Sequence, residues 1–298
     1  MSGKKNIKIM LAYHKPDRLV KNDILVPIHV GRDIAFEKSK DGQISTKDYE
    51  WLVKNCIGDN TGDNISSQNR YFCELTATYW VWKNYDKLGN PDYIGLMHYR
   101  TFFDLFDYAK QNGISTGLKD FGYNQEFLQD ILDKYDGVIS KKLNTIKDFE
   151  PSWSFDDSNK SFWHLSDSNY KKLYNVFLQY DNEIHFKNMF ILKREDFFEY
   201  CETIFPLLFD LLRKYPNEES ISGERSIGRH AECLSSLFFM YLYKTKQRKI
   251  LELPWLIVHK KKFNLLNLIK EQGYAFLFKV SKNKKFLDKY FKYKYKNN

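Results

Sequence analysis

A chain of 298 residues with 47 Lys and Arg against 38 Asp and Glu, 43% hydrophobic and 17% aromatic, has enough apolar material to fill a large core, so disorder is not its default state. Its formal net charge of +9 points to an anionic partner, whether nucleic acid, a nucleotide-sugar or an anionic membrane surface. Cys56, Cys73, Cys201 and Cys233 stand far apart with no CxxC pair, which argues against a zinc site or a disulfide framework and for reduced thiols in a cytoplasmic protein.

In chain order, residues 7–13 (IKIMLAY) read as a first strand ended by the polar loop His14-Lys15-Pro16. This opening is too short and too soon polar for a signal peptide, and no run of about 18 uninterrupted apolar residues follows that would span a membrane. Residues 24–32 form a second extended piece, with Pro27 arguing for an edge or irregular segment. The stretch 59–69 is dense in turn-forming residues and reads as a loop of a length that is often functional. Residues 71–84 carry Phe72, Leu75, Tyr79, Trp80 and Trp82 at roughly helical spacing, which predicts a helix with those rings inward and Asn69 as its N-cap.

A turn at 89–92 feeds residues 93–100 (YIGLMHYR), a short apolar run that predicts a buried strand of a parallel sheet. Ligands of open α/β sheets sit beyond the carboxyl ends of the strands, which places His98, Tyr99 and Arg100 at a candidate site floor. Residues 102–124 show no clear period and read as an insertion. Further elements are a helix at 126–135, a strand at 137–140, a polar, irregular and mobile segment at 141–161, a helix at 168–180 and a strand at 188–193. An apolar helix at 196–215 contains Pro206, a candidate break or kink, and a second apolar helix spans 231–244 after the turn at 223–225. From residue 259 to 298 Lys and aromatic residues interleave, a composition that suits either surface attachment to an anionic membrane or a solvated basic helix pair. Nothing in the chain carries a nucleic-acid-binding signature, so nucleic acid is the less favoured partner.

Three separated blocks, residues 71–84 (YFCELTATYWVWKN), 93–100 (YIGLMHYR) and 188–191 (NMFI) with 199–201 (EYC), together with His14-Lys15 and 27–31 (PIHVG), resemble a bacterial family of capsular and exopolysaccharide glycosyltransferases long labelled only as a domain of unknown function. The resemblance runs over roughly residues 7–258 and implies a GT-A-like α/β fold with a mostly parallel central sheet. It therefore divides the chain into a transferase domain, 1–258, and a basic helical tail, 259–298. It also implies a hexosyltransferase that moves a sugar, galactofuranose among the candidates, from a UDP-sugar to a lipid-linked capsular or lipopolysaccharide acceptor on the inner face of the cytoplasmic membrane. Two departures from the family pattern, Thr101 and Cys233 where arginines are usual, keep open a second reading, a non-catalytic binding or assembly subunit of a polysaccharide synthesis complex.

Most GT-A enzymes place an Asp-x-Asp pair at a central strand end to hold a divalent metal on the diphosphate, and the corresponding place here carries His98-Tyr99-Arg100. Cationic side chains can neutralise the leaving group directly, so a metal-free reaction is the favoured expectation, with Asp59, Asp63 and Asp92 as the alternative metal ligands. His98 and Arg100 either meet the donor or form a structural ion pair, with Glu74 able to absorb the arginine. Glu232, at the start of an apolar helix, is either the base that deprotonates the acceptor or a structural partner of Arg225 or Arg229. His14, Lys15, Asn64, Ser66, Asn69, Tyr99, Arg225 and Arg229 complete the expected donor site, although Asn64, Ser66 and Asn69 are also what plain turns require. His164 and Asn188 are the candidate acceptor contacts.

Overall fold

The computed structural model describes residues 3–38, 43–112, 123–144, 171–178, 183–219 and 223–258. The chain divides into two compact units, Met1–Leu256 and Ile257–Asn298, and the fold described below is that of the first. The basic aromatic tail from residue 259 onward lies outside the described residues, as do most of 141–161, the later part of the 102–124 insertion, and His164.

Among the described residues the core is a mixed α/β arrangement around a nine-stranded sheet whose main path runs β10 (Ile250–Leu253), β6 (Gly137–Ser140), β9 (Phe190–Lys193), β4 (Tyr93–His98), β1 (Ile7–Tyr13), β2 (Leu25–His29) and β3 (Ile57–Gly58). Strand β1 is Ile7–Tyr13 and β4 is Tyr93–His98; both are buried almost end to end, the mark of strands covered on both faces. They pair in parallel from Ile7↔Tyr93 to Ala12↔His98, and β1 pairs in parallel with β2, Leu25–His29, from Ile9↔Leu25 to Tyr13↔His29. These registers bring the carboxyl ends of three strands to one rim. Strands β3 (Ile57–Gly58), β6 (Gly137–Ser140) and β10 (Ile250–Leu253) keep parallel partners, whereas β9 (Phe190–Lys193) runs antiparallel between β4 and β6.

Pro27 is not on a sheet edge, because β2 lies between β1 and β3. The two-residue β3 pairs only with Ile28 and His29, so the ladder on that side begins after the proline and demands no N–H from it.

One face of the sheet is covered by helices Leu75–Lys83, Arg194–Lys214 and Ser226–Lys244, whose apolar sides join Leu96, Phe190 and Leu192 in one core cluster. Phe72 and Trp80 are buried and the Trp82 ring stacks on Phe205, with centroids 5.8 Å apart and planes 7° from parallel, so the aromatic stripe is core, as its spacing predicts. Pro206 lies inside the 21-residue helix Arg194–Lys214 without ending it. The last long helix starts at Ser226, five residues before the predicted 231, because the polar turn Ser-Ile-Gly-Arg-His already buries Ser226, Ile227 and His230.

Two departures from the predicted elements shape the rim. The predicted 71–84 helix is broken into Asn69–Phe72 and Leu75–Lys83 by Cys73, whose backbone takes φ 50° and ψ −130°. Asn69 does not cap it; its Nδ2 instead donates to the Cys73 carbonyl at 2.6 Å and to Thr76 Oγ1 at 3.2 Å, spanning the break. The run 93–100 is likewise shorter as a strand, since β5 (Thr101–Phe103) pairs back antiparallel at His98↔Thr101. Tyr99 and Arg100 therefore form a tight reversal, in which the Arg100 guanidinium lies 4.9 Å over the Tyr99 ring.

Candidate active site

Beyond the carboxyl ends of β1, β2 and β4 opens a cavity of about 380 Å³, whose lining includes His14, Lys15, His29, Gly31, Asn69, Glu74, His98, Tyr99 and Arg225. Six predicted donor-site residues, His14, Lys15, Asn69, His98, Tyr99 and Arg225, thus meet in one place. The Tyr99 ring is packed on Tyr13 at 5.1 Å and meets His14 edge-on at 5.3 Å, while its N–H donates to the Ala12 carbonyl, so β1 and β4 together fix it. His14 and Lys15 themselves are exposed.

The β2 side of the cavity is built on a buried carboxylate. Asp59 accepts from the Gly31 N–H at 2.7 Å, the Arg32 N–H at 3.1 Å and the Ser66 hydroxyl at 2.5 Å. Burial pushes its pKa up, against the pull of those donors. Gly31 has φ +66° and a Cβ there would lie 2.6 Å from the Asn69 side chain, so only glycine lets the chain turn this close under the cavity. His29 is buried, accepts at Nδ1 from Arg32 Nε at 3.2 Å, and has its pKa pushed down to about 3, first by burial and then by the charge of Arg32. It presents a neutral imidazole at neutral pH.

A second cavity, of about 550 Å³, adjoins the first and shares Cys73, Glu74, Glu224 and Arg225 with it; Glu219, Gly223, Gly228, Arg229 and Glu232 complete its walls. The break at Cys73 is what turns Glu74 to this junction. A Cβ at Gly228 would stand 3.2 Å from Cys73 Sγ, so the start of helix Ser226–Lys244 comes close to the break because that residue is glycine. The Cys73 thiol is pushed up to about 12 by burial, then by Glu74, and stays protonated. Glu232 accepts the Lys187 N–H at 2.7 Å. Burial first, and the neighbouring Glu74 charge second, raise its pKa to about 7, while the Lys187 N–H and the Lys187 and Arg225 charges oppose the rise. A carboxyl group poised there is suited to taking a proton near neutral pH. The charge of the two walls is mixed rather than cationic: Lys15, Arg70, Arg225 and Arg229 are interspersed with Glu37, Asp48, Glu74, Glu219, Glu224 and Glu232.

Other predicted residues fall elsewhere. Arg100 does not reach Glu74 or line either cavity; the reversal after His98 turns it onto the buried Asp17, with Nε 2.6 Å from Oδ2. Asn64 and Ser66 perform turn chemistry: Asn64 Nδ2 donates to the Gly62 carbonyl, Asn64 Oδ1 accepts the Ser66 N–H, and the buried Ser66 hydroxyl is committed to Asp59. Asn188 lines neither cavity, being buried with its amide donating to Glu74 Oε1 at 2.8 Å and the Gly228 carbonyl at 3.2 Å. Asp63 and Asp92 lie outside the cavities, held by Tyr79 and by the Asn6 N–H. No three His, Cys, Asp or Glu side chains among the described residues are grouped to hold a metal ion. Lys187 carried no sequence signal, because its contribution to Glu232 is a backbone N–H that any residue except proline supplies.

The chain resembles the apo structure of WbbM, a bifunctional glycosyltransferase, with a TM-score of 0.67 and 26% identity; the match covers 87% of this chain and 46% of that one, so this chain spans less than half of its length. No curated protein matches the sequence. Residues 8–246 match the family described as a domain of unknown function, DUF4422, and over that span, most of its length, the chain belongs to that family.

Proposed function

We propose that this protein is a glycosyltransferase of polysaccharide synthesis that moves a hexosyl group, galactofuranose among the candidates, from a UDP-sugar to a hydroxyl of a lipid-linked capsular or lipopolysaccharide acceptor. The observation that carries the reading is the continuity of two unlike cavities: a strand-end cavity with an aromatic ring and basic side chains, and a second one holding a carboxyl group with a pKa near 7. The likeness to WbbM supports the same class of chemistry.

In this reading the nucleotide lies in the first cavity, against Tyr99, with Lys15, His98 and Arg225 toward the diphosphate. The acceptor enters the second. Glu232 takes the proton of the acceptor hydroxyl as its oxygen bonds to the sugar's anomeric carbon; the bond from that carbon to the diphosphate oxygen breaks, and UDP leaves with the electron pair. Lys15 and Arg225 stabilise that charge with no metal, and a divalent ion is the alternative to be tested. No helix among the described residues is long and apolar enough to cross a membrane. In this reading the basic aromatic tail, 259–298, supplies peripheral attachment to an anionic leaflet through its charge and rings.

Isothermal calorimetry with UDP and a panel of UDP-hexoses, with EDTA and with added Mg²⁺ or Mn²⁺, tests the donor. Binding of a uridine nucleotide and UDP release on addition of a lipid-linked acceptor are expected. Absence of binding to every uridine nucleotide would overturn the reading, and binding without UDP release would mark a non-catalytic member.

A further inference from the structure

Residues 187 and 188 are two consecutive non-glycine residues in the left-handed region, Lys187 at φ 75°, ψ 10° and Asn188 at φ 50°. Backbone held in sparsely populated conformations persists where the surroundings over-determine it, and such places concentrate at functional sites. Each polar group of this turn that meets the site meets a different member of it. The Lys187 N–H donates to Glu232 Oε1 at 2.7 Å. The Lys187 carbonyl lies 2.9 Å from His98 Nε2. Since a carbonyl only accepts, Nε2 carries the proton of this bond. The Asn188 amide donates to Glu74 Oε1, and its oxygen accepts from Ser235 Oγ at 3.2 Å, which ties the turn to helix Ser226–Lys244. The Lys187 ammonium, in contrast, sits 4.4 Å over the Trp255 ring and lines neither cavity.

We infer that the left-handed turn Lys187–Asn188 is the positioning element of the site, holding the base Glu232, the strand-end His98 and the junction carboxylate Glu74 in register through its peptide groups and one amide, so that transfer requires the backbone conformation at 187 and not its ammonium group. The inference rests on the transferase reading above. Lys187 acts through Glu232 and His98 and is a positioning residue. An extended or right-handed backbone at 187 would swing the N–H away from Glu232 and the carbonyl away from His98 at once. Displacement of a catalytic group by about 1 Å is enough to cost on the order of 100-fold in rate.

The test uses the full chain with three substitutions at one position. Lys187→Gly and Lys187→Asn remove the ammonium but favour or tolerate the left-handed region, whereas β-branched Lys187→Val opposes it. For UDP release measured at about pH 8.5, where Glu232 is ionised with or without the Lys187 charge, the glycine and asparagine variants are expected within about 3-fold of the parent kcat, and the valine variant about 100-fold lower with little change in donor KM. Equal loss in all three would assign the role to the ammonium, and equal activity in all three would show that the turn does not matter; either result overturns the inference. If the valine variant does not fold, Lys187→Asn decides alone: retained kcat supports the backbone role and a loss above about 10-fold refutes it. Absence of nucleotide binding by the parent protein would instead count against the transferase reading, so the two failures are distinguishable.

Discussion

The two cavities that meet at Cys73 and Glu74 are built in opposite ways. The first is a rim of strand ends: His14 and Lys15 are exposed side chains on the loop after β1, and Tyr99 sits on the reversal after β4. The second is a half-buried network in which Glu232 and Glu74 each accept from the 187–188 turn, close enough for the Glu74 charge to act on Glu232. A rim of that kind suits a ligand that brings its own charge and carries its solvent partly with it. The Glu232 carboxyl, raised by burial and then by the Glu74 charge, is suited to taking up or releasing a proton near neutral pH. The difference teaches where binding and chemistry should separate on mutation: changes at the rim act on donor affinity, changes in the network act on turnover.

The sharpest way to break that separation is Glu232→Gln. A general base contributes about 10²–10⁴-fold, so UDP release is expected to fall by that order while calorimetric donor affinity is unchanged. Loss of donor affinity with little change in turnover would reverse the assignment of the two cavities. The pH dependence carries a sign. The base must be ionised, so the parent rate rises with pH through about 7, the value to which burial and Glu74 lift the Glu232 carboxyl. The same shift bears on stability: a carboxyl raised from its ordinary value favours the folded state at low pH, and that contribution fades as pH climbs through about 7. Glu232→Gln is therefore expected to melt above the parent at pH 8, with the difference closing near pH 4.5, as read by thermal denaturation at the two pH values.

At the rim, His98→Ala removes a side chain that lines the first cavity and donates to the Lys187 carbonyl. Charged hydrogen bonds contribute about 1.5–3 kcal/mol, so donor affinity is expected to drop roughly 10- to 100-fold by calorimetry. Because His98 also braces the 187–188 turn, a smaller loss of kcat should accompany it. Ser66→Ala is weaker and different in kind. It strips the hydroxyl from buried Asp59 and is expected to cost about 1–2 kcal/mol, a few degrees of melting temperature, with donor affinity unchanged.

How much of this was legible in the sequence depends on the kind of signal each residue leaves. The strands at 7–13 and 137–140, and the one read as 93–100 that ends at His98, were readable because strands covered on both faces are continuous apolar runs, and Trp80 and Trp82 were readable as core from their helical spacing. Strand-end residues such as His98 followed from the fold class. Asn64, Ser66 and Asn188 misled because turns and ligand sites draw on the same side chains, and only geometry shows that their hydrogen bonds are spent internally. Cys73 and Lys187 were invisible, since what they contribute is a backbone angle in a residue type that rarely adopts it. Arg100 was misplaced for a similar reason: the tight reversal at Tyr99 and Arg100, closed by His98↔Thr101, has no glycine or proline to announce it.

Arg100 gives the smallest expected effect and the finest test of where the rim ends. Its side chain is 34% exposed and paired with Asp17, which is 3% exposed, so a single Arg100→Ala change would strand a buried carboxylate and confuse stability with binding. Removing both charges together avoids this. In the double variant Asp17→Asn with Arg100→Gln, no unpaired charge remains and an amide pair can replace the ion pair. A partly exposed ion pair contributes about 1 kcal/mol or less, so the melting temperature should move by only a few degrees. Donor affinity is expected to stay within about 3-fold of the parent, because Arg100 is turned away from the cavity that His98 lines. A loss above about 10-fold, with folding intact, would mean that the guanidinium leaves Asp17 for the diphosphate when the donor binds. The boundary of the binding rim would then lie one residue beyond Tyr99, and the ion pair would be its resting state.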